Sequence, residues 1–172
     1  MVEVETGRLL LRGWREEDLE PYARMCADPE VMRFIGDGST LTRERSEAQI
    51  SRFLRHWEER GFGLWALEEK TGGTFVGFAG LAHQEDWAEG GHKTEVGWRL
   101  ARDHWGRGLA TEGALASVRY GFEGLGLRRI ISITLPENAA SRRVMEKAGL
   151  TYRGETRWRG HDVVWYAVDR PA

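Results

Sequence analysis

A glycine-containing segment between a predicted strand and a predicted helix narrows the possible folds of this sequence more than any other part of it. The segment is Trp105-Gly106-Arg107-Gly108-Leu109-Ala110-Thr111. Glycines let a ligand come close to the backbone, and the free N–H groups of a first helical turn attract phosphate together with the helix dipole. By local pattern alone, a phosphate-binding loop and a plain connection fit this segment about equally well.

Two nucleotide-binding folds do not fit the segment. A Rossmann loop needs Gly-x-Gly-x-x-Gly, but the third residue after Gly108 is Thr111, and the strand that follows lacks the acidic residue that would hold a ribose hydroxyl. A P-loop ends in Gly-Lys-Ser/Thr, which does not occur in the sequence. If the segment binds phosphate, it does so in a different fold.

Hydrophobic periodicity and turn residues predict a single α+β domain with a mixed sheet over residues 1–172. For example, Ile50, Phe53, Leu54 and Trp57 recur at helical spacing behind a predicted Thr42 cap. The predicted strands cover residues 8–14, 64–68, 75–82, 94–100, 129–135, 152–157 and 163–168. The predicted helices cover residues 15–27, 42–60, 108–122 and 139–147, with a short helical piece at 28–30.

Charge is distributed unevenly along the chain. The net charge of −2 gives no overall attraction to nucleic acid or membrane. Residues 97–160, however, carry 12 basic and 6 acidic side chains. This half is suited to an anionic ligand, although ordinary surface charge is the simpler explanation of the same asymmetry.

Cysteine content and apolar run lengths indicate the setting of the protein. Cys26 is the only cysteine, which excludes an internal disulfide and a thiolate zinc cluster and favours a reducing, cytoplasmic setting. No apolar run approaches the length of a membrane span. The histidines lack metal-ligand spacing, so no metal is expected. Cys26 lies in an apolar helical context without a nearby histidine, which favours a core position over a nucleophile.

The stretch from Gly97 to Leu150 resembles the coenzyme-binding half of GNAT acetyltransferases. Their signature is Gln/Arg-x-x-Gly-x-Gly/Ala, and Gly108-Leu109-Ala110 matches its last three positions, while Trp105 replaces the usual Gln or Arg. The segment from Trp105 to Glu112 is similar to the W-G-x-G-x-A-T-E of the RimJ/RimL-type branch. Further segments similar to that branch are Glu137–Ser141, Met145–Leu150, Leu9–Arg12 and Glu17–Leu19. The resemblance therefore covers nearly the whole chain.

This resemblance implies a fold and a coenzyme site. The fold is a GNAT-like mixed, mostly antiparallel central sheet flanked by helices and splayed between the fourth and fifth predicted strands. The pantetheine arm of acetyl-coenzyme A, the expected co-substrate, lies in that gap, and its phosphates lie on the glycine segment. The implied coenzyme-binding residues are Trp98, Arg99, Leu100, Trp105, Gly106, Arg107, Gly108, Leu109, Ala110, Thr111, Asn138, Ser141, Arg143 and Lys147. For each basic residue of the last helix, including Arg142, a solvated helix face is about as good an explanation.

The resemblance also implies the catalytic residues. Acetyl transfer to an amine needs a group that takes the amine proton. Glu95 is the candidate base, and a salt-bridged carboxylate at a strand end is the structural alternative. Many GNAT enzymes use a tyrosine seven residues after the asparagine as the acid, but that position here is Met145. Ser141 is the expected substitute, and its structural alternative is a residue of the helix start.

Three functions remain open from the sequence. The first is an N-acetyltransferase that acts on a primary amine, either a protein N-terminus or a small molecule, by direct attack in a ternary complex. The second is a non-catalytic acyl-coenzyme A binding module, which the absent tyrosine would permit. The weakest is nucleic-acid binding, because no predicted helix carries a dense basic face with interleaved aromatics. Residues 84–91 and 35–42 are expected to border the acceptor pocket, and the protein is expected to be a monomer or a homodimer.

Overall fold

The computed structural model describes residues 1–171, which form an eight-stranded sheet covered by helices. The strands are β1 (Val4–Glu5), β2 (Leu9–Arg12), β3 (Leu64–Glu69), β4 (Thr74–His83), β5 (Thr94–Leu100), β6 (Arg129–Thr134), β7 (Thr151–Trp158) and β8 (His161–Asp169). The helices are α1 (Leu19–Cys26), α2 (Pro29–Met32), α3 (Arg43–Arg60), α4 (Leu109–Glu123) and α5 (Ala139–Lys147). Short 3-10 turns lie at Glu16–Asp18, Glu89–Gly91 and Arg102–His104.

The strand order is β1-β2-β3-β4-β5-β6-β8-β7, and every neighbouring pair is antiparallel except β5 and β6. These two parallel strands are paired only at Glu95 and Ile131, beyond which they diverge. The predicted mixed sheet and its splay are therefore confirmed. The splayed strands are the fifth and sixth rather than the fourth and fifth, because the short strand β1 was not predicted.

Local signals in the sequence explain most element ends. The Thr42 side chain accepts a hydrogen bond from the Arg45 N–H at the start of α3, and Gly61 ends that helix in the left-handed region at a φ of 74°. Strand β2 ends at Arg12, whose guanidinium is buried and donates to both oxygens of Asp18 at 2.8 Å. This ion pair turns the chain into α1 and fixes the first helical layer against the sheet.

The hydrophobic core has a layer on each face of the sheet. On one face, α4 and α5 pack on β4, β5, β6 and β8 through Leu81, Val96, Ala114, Ile130 and Met145 among others. On the other face, α1, α2 and α3 pack on β3 and β4, with Tyr22, Met25, Ile50 and Phe78 in the cluster. Among residues 1–171, every helix is too short or too polar to be a membrane span.

Candidate active site

The gap between β5 and β6 is lined by main-chain groups of alternate β5 residues. The Val96 carbonyl accepts a hydrogen bond from Ser132 Oγ at 2.8 Å, and the Leu100 carbonyl accepts one from Trp105 Nε1 at 2.8 Å. Main-chain groups of alternate residues point to the same side of a strand. The N–H and C=O of Trp98, which lies between these two residues, therefore also point into the gap.

The structure does not bring Arg99 to this gap. By the same alternation its main chain faces β4, where it pairs with Phe78. Its side chain is buried under α1 and α3, where Nη1 lies 3.3 Å from Cys26 Sγ and 3.2 Å from Gln49 Oε1. The implied coenzyme contact of Arg99 thus has no support in the geometry, because β5 presents only every second residue to the gap.

The glycine segment bends sharply before it enters α4. Gly106 and Gly108 adopt the left-handed region with φ values of 70° and 79°, which side chains other than that of glycine rarely adopt. Gly108 is the N-cap of α4, and its carbonyl accepts the first helical hydrogen bond, from Glu112 N. The amides of Leu109, Ala110 and Thr111 lie in the first turn and have no intrahelical acceptor. This end of α4 can therefore donate to an anion.

Arg8 and Glu112 hold the glycine segment in place, a contact that no local sequence pattern predicts. Arg8 donates from Nη1 to the Arg107 carbonyl at 2.7 Å and from Nε to Glu112 at 2.7 Å. Thr6 Oγ1 donates to the same carboxylate at 2.6 Å. The Arg107 side chain is itself turned away toward Glu69 and His104. Arg107 can therefore contact a ligand in the gap mainly through its main chain.

Asn138 and Ser141 begin α5 beside the end of β6. Asn138 Oδ1 accepts a hydrogen bond from Ser141 N at 3.2 Å, and Asn138 Nδ2 donates to Thr134 Oγ1 at 3.1 Å. The asparagine side chain thus fixes the helix start to the strand, in addition to any ligand contact. Ser141 is partly buried, and its hydroxyl makes no hydrogen bond to the residues that the structure describes. This hydroxyl remains available to a ligand.

The basic residues of α5 divide into two kinds. Arg142 has a structural role, since it donates to the Tyr166 hydroxyl and to the Pro136 carbonyl, each at 3.0 Å. Arg143 and Lys147 form no ion pair within residues 1–171, and both are exposed. Met145 is fully buried in the core under α4. A hydroxyl at position 145 would therefore enter an apolar environment in this chain.

Glu95 lies where β5 and β6 part, on the face opposite α4 and α5. Its Oε2 accepts a hydrogen bond from Gln84 Nε2 at 2.5 Å, and its Oε1 accepts one from Ile133 N at 3.3 Å. Burial raises the pKa of this carboxyl group from 4.5 to about 7, although both hydrogen bonds oppose the shift. Glu95 forms no ion pair with the described residues, so the salt-bridged alternative does not apply.

Space for a small group lies beside Glu95. Side chains alternate between the faces of a strand, so Glu95 and Gly97 lie on the same face. A Cβ atom added at Gly97 would meet no atom within 4 Å. A carboxyl group with a pKa near neutrality beside open space can exchange a proton with a bound molecule.

The loop at residues 84–91 packs on the β7–β8 hairpin. The Trp87 ring packs edge-on against Trp158 and Trp165, with ring centroids 5.6 and 5.8 Å apart. Gln84, the first residue of this loop, contacts Glu95, and the acceptor pocket beside the loop stays a prediction. No group of three His, Cys, Asp or Glu side chains within residues 1–171 is arranged to hold a metal ion.

Comparison with known proteins agrees with this architecture. Residues 8–151 match the family model described as an acetyltransferase (GNAT) domain. The chain is 36% identical over 155 residues to the FsC-acetyl coenzyme A-N(2)-transacetylase of Aspergillus fumigatus, covering 87% of this chain and 65% of that protein. An acetyltransferase structure from Agrobacterium tumefaciens superposes with a TM-score of 0.84 at 27% identity, covering 99% of this chain and 95% of that one.

These similarities and the fold define an enzyme of the acyltransferase class. The chain belongs to the GNAT acetyltransferase family. The predicted RimJ/RimL branch is supported in fold only. RimL, a ribosomal L7/L12 alpha-N-protein acetyltransferase in complex with coenzyme A, superposes with a TM-score of 0.76 and 98% coverage of both chains, but at 15% identity.

Proposed function

We propose that this protein transfers an acetyl group from acetyl-coenzyme A to a primary amine by direct attack in a ternary complex. The observation that carries the proposal is the position of Glu95. Its carboxyl group lies where β5 and β6 separate, has a pKa of about 7, and is on the same face of β5 as the open space at Gly97. A bound amine in that space would lose its proton to Glu95, directly or through one water molecule.

The residues of the gap fit the coenzyme. The Trp98 main chain can pair with the amide groups of a pantetheine arm, in the manner of an added strand. The first-turn amides of α4 after Gly108 can receive its phosphates, and Arg143 and Lys147 remain free to approach the same anion. When bound, the coenzyme supplies the acetyl thioester. The chain itself orients the thioester, excludes water and handles the protons.

Ser141 is proposed to donate a hydrogen bond to the departing sulfur. Its hydroxyl has no partner among the described residues, and it begins the helix that flanks the gap. Sulfur carries negative charge only late in the reaction, so this donor stabilises that stage more than the bound thioester. A serine hydroxyl is a weak acid, and a proton relayed from water completes the step.

The acceptor is proposed as either a protein N-terminus or a small-molecule amine. The shared fold of RimL supports the first class. The name of the FsC transacetylase, which specifies an N(2) position, supports the second. The non-catalytic alternative, an acyl-coenzyme A binding module, is disfavoured by a carboxyl group with a neutral pKa at the gap.

Release of free coenzyme A thiol from acetyl-coenzyme A tests the proposal. We would use two panels of acceptors, short peptides with free N-termini and small primary amines, and confirm acetylation of the acceptor by mass spectrometry. Glu95→Gln is expected to lower turnover about 100-fold or more near pH 7, with partial recovery at high pH, where the amine loses its proton unaided. Glu155→Gln, an exposed carboxylate on β7, is the matched control. Coenzyme binding without acetyl transfer to either panel would favour the binding module.

A further inference from the structure

The hydrogen bonds of Gln84 connect Glu95 to the β7–β8 turn. Gln84 Nε2 donates to Glu95 Oε2 at 2.5 Å, and Gln84 Oε1 accepts a hydrogen bond from Arg159 Nη2 at 3.1 Å. Arg159 in turn donates to both carboxylate oxygens of Asp86, each at 2.8 Å. Four side chains from the loop, the hairpin and β5 thus form one chain of hydrogen bonds that ends on the proposed base.

Arg159, which links Asp86 to Gln84 in these hydrogen bonds, has an unusual backbone conformation. It is the one residue other than glycine with positive φ in the described part of the protein, at 50°. Gly160 follows with a φ of 82°, as in the tight hairpin turns that twist with their strands. The guanidinium lies 4.0 Å from the centre of the Trp158 ring. A non-glycine residue in this region costs free energy, and such costs concentrate at functional sites.

The two ends of the Gln84 amide are not equivalent, and Arg159 decides which end faces Glu95. A guanidinium has donors only, so it can bond the carbonyl end of the amide and not the NH₂ end. The NH₂ group must then face Glu95, where it stabilises the ionised carboxylate. Without Arg159 the amide could rotate by half a turn. Its carbonyl oxygen would then face Glu95, an arrangement that favours a protonated carboxyl group.

We propose that Gln84 and Arg159 are positioning residues, which keep a hydrogen-bond donor directed at the Glu95 carboxylate and so keep Glu95 ready to accept a proton. The inference rests on the proposed function of Glu95 as the base. Asp86 has the supporting role of holding the Arg159 guanidinium above Gln84. Neither Gln84 nor Arg159 needs to touch the acetyl group or the amine for this role.

Other charged groups near Glu95 do not replace this arrangement. His83, at the end of β4, lies 3.5 Å from Glu85 in the loop, where Arg60 and Lys93 also contact Glu85. Strand β6 has no titratable residue between Ile130 and Thr134. Arg99, farther along the same face of β5, is turned toward α1 and α3. Arg159 is therefore the cation whose charge acts on Glu95, and Asp86 is its direct partner.

The test is an NMR titration of the Glu95 carboxyl group in the intact protein, with glutamate labelled by ¹³C at the side-chain carboxyl carbon. The Glu95 signal is assigned by its absence in Glu95→Gln. In Arg159→Gln, we expect the pKa of Glu95 to rise by about 0.5 to 1 unit, because the donor is no longer fixed and a nearby positive charge is lost. Arg157→Gln removes the same charge from the same hairpin, where Arg157 pairs with Asp162, and should leave the Glu95 signal unchanged.

Two further variants separate positioning from charge and from hairpin damage. Gln84→Leu keeps the Arg159–Asp86 pair and should raise the pKa of Glu95 at least as far. Arg159→Gln should then change the pKa of Glu95 less in the Gln84→Leu background than in the parent protein, because Arg159 acts on Glu95 through Gln84. An unchanged titration in both single variants, or an equal shift in Arg157→Gln, would overturn the inference.

The same variants distinguish failure of this inference from failure of the proposed function. The NMR titration needs neither acceptor nor turnover. If Glu95→Gln abolishes turnover while Arg159→Gln leaves the Glu95 titration and the pH profile unmoved, only the positioning role is wrong. If the titrations shift as expected but Glu95→Gln acetylates as fast as the parent protein, Gln84 and Arg159 do orient the donor at Glu95, but the assignment of Glu95 as base is wrong.

Discussion

The main-chain N–H and the Nε of Arg8 both donate to the carboxylate of Glu112, each at 2.7 Å, across 104 residues of the chain. This pair joins the start of β2 to the first turn of α4. Because Arg8 also bonds the Arg107 carbonyl, the glycine segment is fixed from the opposite end of the sequence. The end of α4 that is proposed to receive the coenzyme phosphates is therefore held in shape by contacts within the protein, which would lower the ordering cost of binding.

Glu112→Gln tests this pair through stability. Burial opposes ionisation of Glu112, but hydrogen bonds from Thr6 and Arg8 outweigh it and hold its pKa below 4.5. A lowered pKa means that the contribution is present above about pH 4.5 and is lost as the pH falls. We expect the free energy of unfolding in urea at pH 7 to be about 1–2 kcal/mol lower in Glu112→Gln than in the parent protein. This difference should become smaller in acid. Glu123→Gln, at the exposed far end of α4, should change stability by no more than about 0.5 kcal/mol.

Gly108→Ala tests the coenzyme role of the glycine segment. At a φ of 79° an alanine strains the backbone, and the strain falls on the first-turn amides of α4. We expect affinity for coenzyme A to fall about 10-fold or more by titration calorimetry. Gly126→Ala is matched for strain, since its φ is 66° and its Cβ would meet nothing within 4 Å, but it lies beyond the other end of α4. Equal losses of affinity in both variants would mean that the effect is only one of stability.

Glu95→Gln should change the pH dependence of folding. Because the pKa of Glu95 is raised to about 7 in the folded protein, the folded state holds a proton between about pH 4.5 and 7 that the unfolded state has lost. Stability of the parent protein therefore falls as the pH rises through this range, by about 3 kcal/mol at most. Glu95→Gln lacks this loss. Its free energy of unfolding in urea should therefore rise relative to that of the parent protein between pH 5 and pH 8. A constant difference between the two proteins would show that Glu95 titrates normally.

Ser141→Ala is expected to lower kcat about 10- to 100-fold while leaving the affinity for acetyl-coenzyme A nearly intact. In the proposed role the hydroxyl is needed only when negative charge develops on sulfur, so binding of the thioester should not depend on it. Steady-state kinetics of thiol release, with the coenzyme affinity measured separately, separates the two effects. Ser51→Ala is the matched control, because the Ser51 hydroxyl bonds the Glu47 carbonyl on the exposed side of α3. Parallel losses of kcat and affinity would assign Ser141 to the helix start alone.

Local signals in the sequence predicted most helices and strands. They did not predict the side-chain contacts that organise the site. Thr42, Gly61 and Gly108 mark helix ends because caps and left-handed turns depend on a few adjacent residues. The Arg8–Glu112 pair and the Arg159–Gln84 contact join distant segments, and no local pattern encodes them. The same holds for strand β1, whose two residues are too few to show a period.

The geometry gives no support to the expected coenzyme contact of Arg99, for a reason that the sequence could have supplied. Three consecutive residues, Trp98, Arg99 and Leu100, were expected to line the gap. Consecutive residues of a strand point their main-chain groups to opposite edges, so at most alternate residues can do so. The hydrogen bonds of the Val96 and Leu100 carbonyls show which alternate residues of β5 face the gap, and the sequence does not.

The single bridge between Glu95 and Ile131 also has a thermal consequence. Strands β1–β5 and β6–β8 form two half-sheets that are paired only at Glu95 and Ile131. An apolar cluster joins them, in addition to the contacts of Asp86 and Trp87 with the β7–β8 hairpin. In this cluster, helix α4 contributes Ala114, Val118 and Phe122. They pack with Leu81 and Val96 of one half-sheet and with Ile130 and Val164 of the other. Apolar contacts weaken on cooling. The two halves are therefore held together least firmly in the cold, and near freezing the cleft between them should be at its loosest.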